Sequence, residues 1–415
     1  MDKSLYNDNK ILIYDGSKGT MLQLAGLKNE CAEEWNLEKP DEIFRLMEAY
    51  VEAGSDIIQT NTFNANTEAL AKHNVKHNLK PYIRKGIEIA KRAAGKHVKV
   101  AFSAGPTGSM LEPYGEMTFE KAYHTFREIV KIADEVGADL INFETFTDLY
   151  EMKAALLAAK DVSDLPVMCC LAFDENARTL MGDTPEECAE LLTRLGASAV
   201  GANCSFGPEK MTGIIEKMRG ATPLPIVAKP NAGLPQNVNG EIVYAQTAQE
   251  FGEACKILAQ AGATIIGGCC GTTPEFIKVL ALELKDIQPY KLPKNFAYEE
   301  LEMDGLEVAG IIPKKWDEDT LTDMAFECLE DKPDGVCIYD DGYGRLDLAA
   351  AIFTRTVKAP VFLATPNAEL LEKALRTCPG NPGLWIPDGE EELEIVSSDV
   401  LQKFCKKYGC KVITT

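Results

Sequence analysis

Eight times within residues 10–290 a short β-rich run is followed by a segment of helical period, and that alternation constrains the fold more than any other feature. The runs are KILIYDG (10–16), SDIIQTNTF (55–63), VKVAFSAGP (98–106), ADLINFETF (138–146), LPVMCCLAF (165–173), ASAVGANCSF (197–206), LPIVAKPNAG (224–233) and ATIIGGCCG (263–271). Segments such as DEIFRLMEAYVEAG, FEKAYHTFREIVKIADEVG, ECAELLTRLG and QEFGEACKILAQAG lie between them, with apolar residues at helical spacing and a final glycine of the kind that ends helices. Eight such units is the count of a (β/α)8 TIM barrel, although a doubly wound parallel sheet shares the alternation. Polar residues favour the barrel. Asp15, Asn61, Ser103, Glu144, Cys204, Asn231, Cys269 and Cys270 all fall at or just past the C-terminal end of a run. In a barrel those ends converge on one mouth, where such folds carry their chemistry.

Residues 291–302 read as a linker containing proline and acid, and 303–415 as a small α/β domain. Its expected strands are LEVAGII, GVCIYDD, APVFLAT, GLWIPD and CKVITT, with helices DTLTDMAFECLED, LDLAAAIFTRTV, NAELLEKALRTC and SSDVLQKFCKKY between them. The barrel domain is expected to span 1–290.

Charge narrows the partners. With 64 acidic against 43 basic residues the formal charge is -21, which argues against a nucleic-acid or anionic-membrane surface, since either needs a basic footprint. MDKSLYNDNK lacks the apolar core of a signal peptide, and no apolar run reaches the roughly 20 residues that span a bilayer. A cytoplasmic location is the expectation. Thirteen cysteines in that compartment are core residues, metal ligands or nucleophiles rather than a disulfide framework.

Cys204 ends the sixth run, Cys269 the eighth, and Cys270 follows at once. Three thiolates at one rim suit a catalytic zinc, because three protein ligands leave a fourth tetrahedral position open and soft sulfur excludes magnesium and calcium. Gly267, Gly268 and Gly271 would let the backbone turn so that both neighbouring cysteines reach one ion. By spacing alone, however, these cysteines are better read as small buried hydrophobes, since the pattern lacks the paired CxxC spacing of a zinc finger. Cys169 and Cys170, inside PVMCCLAF, are expected in the core.

From about residue 10 to 290 the chain resembles the homocysteine S-methyltransferase family, the barrel shared by the homocysteine module of cobalamin-dependent methionine synthase and by betaine-homocysteine methyltransferase. The likeness is carried by DGSKGTML, TNTFNAN, SAGPTG, ETFTD, GANCSFGP and GGCCGTTPEFI, and runs closer to the methionine synthase module. It implies Cys204, Cys269 and Cys270 as ligands of Zn2+ and as the residues that activate homocysteine, or a similar small thiol, for methyl transfer to give methionine. An unbound thiol of pKa about 8.5 is mostly protonated at neutral pH, and coordination removes that proton. Asn231 would either offer its amide oxygen to the metal or hydrogen-bond around it.

An amino-acid thiol also needs an acceptor for its ammonium and donors for its carboxylate. Asp15 and Glu144 are the expected acceptors, a role the resemblance also implies; Gly16 and Ser17 of DGSKGT offer backbone N–H groups, and Asn61 and Ser103 complete the substrate-facing set. Lys18 departs from the family, which has a neutral residue there. It could pair with an acidic substrate group or be merely solvated.

None of the four histidines, His73, His77, His97 and His124, sits in the DxHxxG context of a corrinoid ligand. Because the likeness runs to methionine synthase, a methylcobalamin-carrying partner protein acting in trans is the expected donor. Betaine or S-methylmethionine entering directly, or a non-catalytic metal-binding scaffold, are the alternatives. Residues 303–415 faintly resemble a truncated pterin-binding barrel, with Ala364 and Pro387 where that fold places polar contacts. Five strands cannot close such a barrel, so docking or homo-oligomer formation is expected there rather than folate chemistry.

Overall fold

The structure is a computed structural model that describes residues 6, 10–28, 31–73, 78–238, 241–293, 307–357, 359–387 and 393–414. The chain divides into two compact units that part near residue 296. Most of the expected linker, 294–302, lies outside the described residues, as does His77.

In the first unit, eight strands form one parallel sheet: β1 (Leu12–Ile13), β2 (Ile57–Gln59), β3 (Lys99–Ala104), β4 (Leu140–Phe146), β5 (Val167–Leu171), β6 (Ala199–Cys204), β7 (Ile226–Pro230) and β10 (Ile265–Ile266). Their order is β1-β10-β7-β6-β5-β4-β3-β2. A parallel bridge between Tyr14 and Ile57 joins the ends, supported by hydrogen bonds from Asp15 N to Ile57 O (3.0 Å) and Asp56 N to Ile13 O (2.7 Å). A doubly wound sheet would leave two free edges, so this near-closure identifies the TIM barrel. An antiparallel hairpin, β8 (Pro235–Val238) with β9 (Glu241–Tyr244), interrupts the alternation between β7 and β10.

Alternation along the strands decides what faces the interior. Tyr14, Ile57, Ala101, Leu140, Met168, Cys170, Ala199, Val227 and Ile265 form one buried cluster to which every strand direction contributes. Two residues further along, the same inward rows carry Gln59, Ser103, Asn142, Lys229 and Gly267, because side chains of one strand alternate faces with period two. Phe143 points the other way and meets Phe126 edge-on, ring centroids 5.6 Å apart.

Phe126 lies on the helix Phe119–Val136, which shows how the outer layer is written in sequence. Thr118 caps its start by accepting from Lys121 N (3.1 Å), and Gly137 ends it in the left-handed region (φ 95°). Ala122, Phe126, Ile129, Val130 and Ala133 recur at helical spacing and are buried. Each large apolar side chain so placed contributes about 1.5–3 kcal/mol. The stripe requires the helix to lie on the barrel wall, which holds β4 in register and so places Glu144.

The second unit contains β11 (Val308–Ile311), β12 (Gly335–Tyr339), β13 (Val361–Ala364), β14 (Gly383–Ile386) and β15 (Val412–Thr414), all parallel and ordered as in the chain. Sequential order without reversal is that of a barrel wall cut short, as expected of a half-barrel. No described helix in either unit is long and apolar enough to cross a membrane.

Candidate metal centre

Where β6 ends, Cys204 and Ser205 both take left-handed backbone angles (φ 61° and 63°). Such angles cost a non-glycine residue roughly 1–2 kcal/mol each and persist where the surroundings enforce them. They turn Cys204 off the line of its strand. Across β7, Cys269 N donates to Pro230 O (2.8 Å), Ala232 N to Cys270 O (3.0 Å), and Thr272 donates to Cys269 O through both N (3.1 Å) and Oγ1 (2.7 Å). The backbone of the cysteine pair is thus pinned on both sides.

The glycines around it differ in purpose from the expected sharp turn. Only Gly271 uses left-handed backbone (φ 83°), and its open face is covered by the Tyr244 ring. Gly267 and Gly268 are required by crowding instead, since a Cβ would run into Tyr14 and Asp15 at the first and Thr272 at the second.

The result is three sulfurs, from Cys204, Cys269 and Cys270, all within 4.8 Å of one another, with Cys204 and Cys270 3.8 Å apart. An ion bound tetrahedrally at about 2.3 Å from each sulfur sets the sulfurs about 3.8 Å apart, so the trio fits a metal. Asn203 Nδ2 donates to Cys269 Sγ (3.7 Å), and the Tyr244 hydroxyl hydrogen-bonds Cys270 Sγ. Asn203 is itself fixed, accepting from Thr145 N (2.7 Å) and donating to Thr145 Oγ1 (2.8 Å). Cys269 is pushed up to about 12, first by its hydrogen bond with the Cys204 thiol, with burial adding to it. Such a thiol ionises at neutral pH only with a cation beside it. Asn231, buried at the end of β7, has no hydrogen-bond partner for its Oδ1 among the described residues.

Beside the sulfurs lies a buried polar network. Asp15 is fully buried and its Oδ2 accepts from Gln59 N (2.9 Å) and from Lys18 Nζ. Glu144 accepts from Ser103 Oγ and from Lys229 Nζ, and Lys229 also donates to Gln59 Oε1 (3.0 Å). Each ammonium lies over a ring: Lys229 over Tyr14 (4.3 Å) and Lys18 over Tyr50 (4.7 Å). Burial is the largest single influence on Lys229 and pulls it down, but Glu144 together with the Cys170 and Cys269 thiols outweighs it and the lysine is raised. Burial raises Asp15 and lowers Lys18 despite their contact.

Several expected residues are placed by their own hydrogen bonds. Ser17 N is taken by Thr272 O (3.3 Å) and Oγ1 (3.2 Å), while Ser17 Oγ caps the next helix at Thr20 N (3.1 Å). Gly16 leaves room for Thr272 and Tyr50. Asn61 Nδ2 braces a loop through Ala32 O (2.7 Å) and Asn36 Oδ1 (3.0 Å). Lys18 is 8% exposed, which removes the solvated reading. Cys169 and Cys170 are fully buried, as expected of core.

The sequence profile described as Homocysteine S-methyltransferase matches residues 12–284, about two thirds of the chain and all of the barrel strands. The chain belongs to the homocysteine S-methyltransferase family. Among its relatives, a methionine synthase of Mycobacterium tuberculosis is 29% identical over 313 residues, and one of Mycobacterium leprae is 28% identical over 304. Each match takes in 69% of this chain, which spans about a quarter of the length of these relatives (26% and 25%). Among solved structures, the metallated form of the homocysteine methyltransferase MmuM from Escherichia coli superposes with a TM-score of 0.57 at 24% identity, covering 66% of this chain and 96% of that one. At that identity the likeness speaks for the fold.

Within this homocysteine S-methyltransferase barrel, sequence reasoning passed over Gln59, Asn142, Asn203, Lys229 and Tyr244. The signal for the first four was the period-two alternation, which puts a polar side chain inside an otherwise apolar strand. A lysine in the run PIVAKPN is the plainest instance.

Proposed function

We propose that this chain is a zinc-dependent thiol S-methyltransferase acting on homocysteine or a similar small acidic thiol. The observation that carries this reading is the trio Cys204, Cys269 and Cys270, brought from two strand ends to within 4.8 Å in a family barrel. Sulfur donors favour zinc over magnesium or calcium, and a metallated form is known for the structural neighbour MmuM. Zinc bound there would deprotonate the substrate thiol at the fourth position and leave its sulfur nucleophilic.

The rest falls to the chain's own residues. Asn203 and Tyr244 hydrogen-bond two of the three sulfurs, which fixes their orientation and draws off part of their charge. Asn231, with its unpartnered buried Oδ1, would offer an acceptor when no thiol is present. In the transfer, the substrate sulfur forms a bond to the methyl carbon in line, and the bond from that carbon to the donor breaks with its electron pair leaving on the donor. The likeness to methionine synthases supports a methyl-corrinoid held by a separate protein as that donor.

Metal analysis tests the reading. The purified chain should hold about one zinc per chain. Cys204→Ala, Cys269→Ala or Cys270→Ala should remove most of it together with methionine formation from homocysteine and a methylated corrinoid, while Cys169→Ala and Cys188→Ala keep both. Full zinc occupancy in a Cys269→Ala, Cys270→Ala double variant would overturn it.

A further inference from the structure

A buried ion pair is closed to a ligand when each of its polar atoms already has a partner, and open to one when some do not. The two pairs at this barrel's mouth differ in that respect. Glu144 accepts from Ser103 Oγ on one oxygen and from Lys229 Nζ on the other. Lys229 is held further by Gln59 Oε1 (3.0 Å) and the Tyr14 ring, so this pair is complete. Asp15 and Lys18 are not. Asp15 Oδ2 accepts from Gln59 N (2.9 Å) and Lys18 Nζ, but Oδ1, equally buried, has no partner among the described residues. Lys18 has Asp15 and the Tyr50 ring, and its three N–H donors keep capacity beyond them. Burial raises Asp15 and lowers Lys18 even in contact, so the charged form of each gains from a second partner of opposite sign.

A ligand entering this pair must leave no charge stranded. An acid without an amine would take Lys18 and strand Asp15, and an amine without an acid would do the reverse. A buried charge deprived of its partner is strongly destabilising in either case. An α-amino acid carries both signs on one carbon and, like the pair, sums to zero. Inserted between the two side chains, it gives its ammonium to Asp15 and its carboxylate to Lys18, and the four charges alternate in sign. Lys18 is able to make room. It opens the helix Lys18–Leu24, its flexible stem moves the ammonium without moving the backbone, and at 9% it is the most exposed side chain of the two pairs.

From this we infer that Lys18 is a specificity-determining residue, which pairs with Asp15 until the substrate's ammonium takes its place there and then receives the substrate's α-carboxylate. The chain thereby selects the thiol of a zwitterionic α-amino acid over thiols that carry only an acid or only an amine. This rests on the thiolate-activating metal centre proposed above and narrows its substrate class. Lys229, locked to Glu144, keeps its place throughout.

The test is equilibrium binding to the full chain loaded with cobalt in place of zinc, read by the thiolate-to-cobalt absorption band. L-Homocysteine, its deaminated analogue 4-mercaptobutanoate and its decarboxylated analogue 3-aminopropane-1-thiol are titrated in turn. L-Homocysteine should bind the unmodified chain at least about tenfold more tightly than either analogue. Lys18→Met should weaken L-homocysteine about tenfold or more with the cobalt content unchanged, and should bring its affinity down to that of 3-aminopropane-1-thiol, which has no carboxylate to lose. Equal binding of L-homocysteine and 3-aminopropane-1-thiol by the unmodified chain would overturn the inference whether or not the variant folds. Unchanged or tighter binding of L-homocysteine by Lys18→Met would also overturn it, the tighter result making Lys18 a mere competitor for Asp15; both outcomes leave the metal-thiolate reading intact. Failure of every thiol to change the band of a fully loaded protein would overturn both.

Discussion

Glu151 shows what a single buried acid does for this site and what it costs. It sits on the helix Leu149–Val162, yet its Oε1 reaches back to Thr107, accepting from N (2.7 Å) and Oγ1 (2.6 Å), and so holds the loop that follows β3 at the barrel mouth. Burial, only partly offset by those hydrogen bonds, raises its carboxyl from 4.5 to about 7. A raised acid binds its proton more tightly in the folded state. Its contribution to stability is full below the unfolded value of about 4.5 and is lost as pH rises through about 7. Over that window the folded chain should lose on the order of 3 kcal/mol from this group. Glu151→Gln, which keeps an acceptor for Thr107, should flatten the decline. Unfolding free energy measured by denaturant under reducing conditions at pH 5 and pH 8 checks it, and an equal decline in the variant would assign the pH dependence elsewhere.

Among the elements, strands and helices of both units were legible because each announces its period: apolar β-branched runs for the barrel wall, stripes at helical spacing ending at Gly54, Gly137, Gly196 and Gly262 for the outer layer. The hairpin β8–β9 was not, although Asn239-Gly240 between its strands is a strong hairpin dipeptide. Its strands are short and antiparallel, and a search for a parallel barrel passes over them. The three cysteines were legible through motif and strand-end position; their hydrogen-bond partners were not, because Tyr244 comes from that hairpin and Asn203 meets Cys269 only once β6 and β10 are brought together. The hairpin's part in the site gives a prediction. Gly271→Ala would force an alanine into left-handed backbone, at about 1–2 kcal/mol, and drive its Cβ into the Tyr244 ring. Displacing Tyr244 from Cys270 should weaken metal binding by roughly 10- to 100-fold while the far-ultraviolet circular dichroism stays that of the wild type. Unchanged metal affinity in competition with a chelator would show that the hairpin is not part of the site.

Taken whole, the molecule joins a barrel whose ends meet to a five-stranded sheet whose ends do not. Every described feature of the proposed metal centre comes from residues before 296, and the barrel has its own buried core, so residues 1–295 should fold alone and keep about one zinc. Residues 307–414 have a core of their own around Cys337, Phe362 and Ile413. Asp340, fully buried at the end of β12, accepts through Oδ1 from Gly342 N (2.7 Å) and Gly344 N (3.0 Å) and so builds its own turn, while its Oδ2 has no hydrogen-bond partner among the described residues. Ala364, ending β13, has no polar atom beyond its backbone. A pterin ring needs several hydrogen bonds from a closed, largely apolar pocket, and an open sheet of five strands has no opposite wall to supply it. The purified full chain should therefore show no saturable binding of methyltetrahydrofolate, whereas the metal content of residues 1–295 should equal that of the full chain. Calorimetric titration and metal analysis of the two proteins decide it: folate binding would restore pterin chemistry to the second unit, and loss of zinc on truncation would make that unit a structural part of the centre.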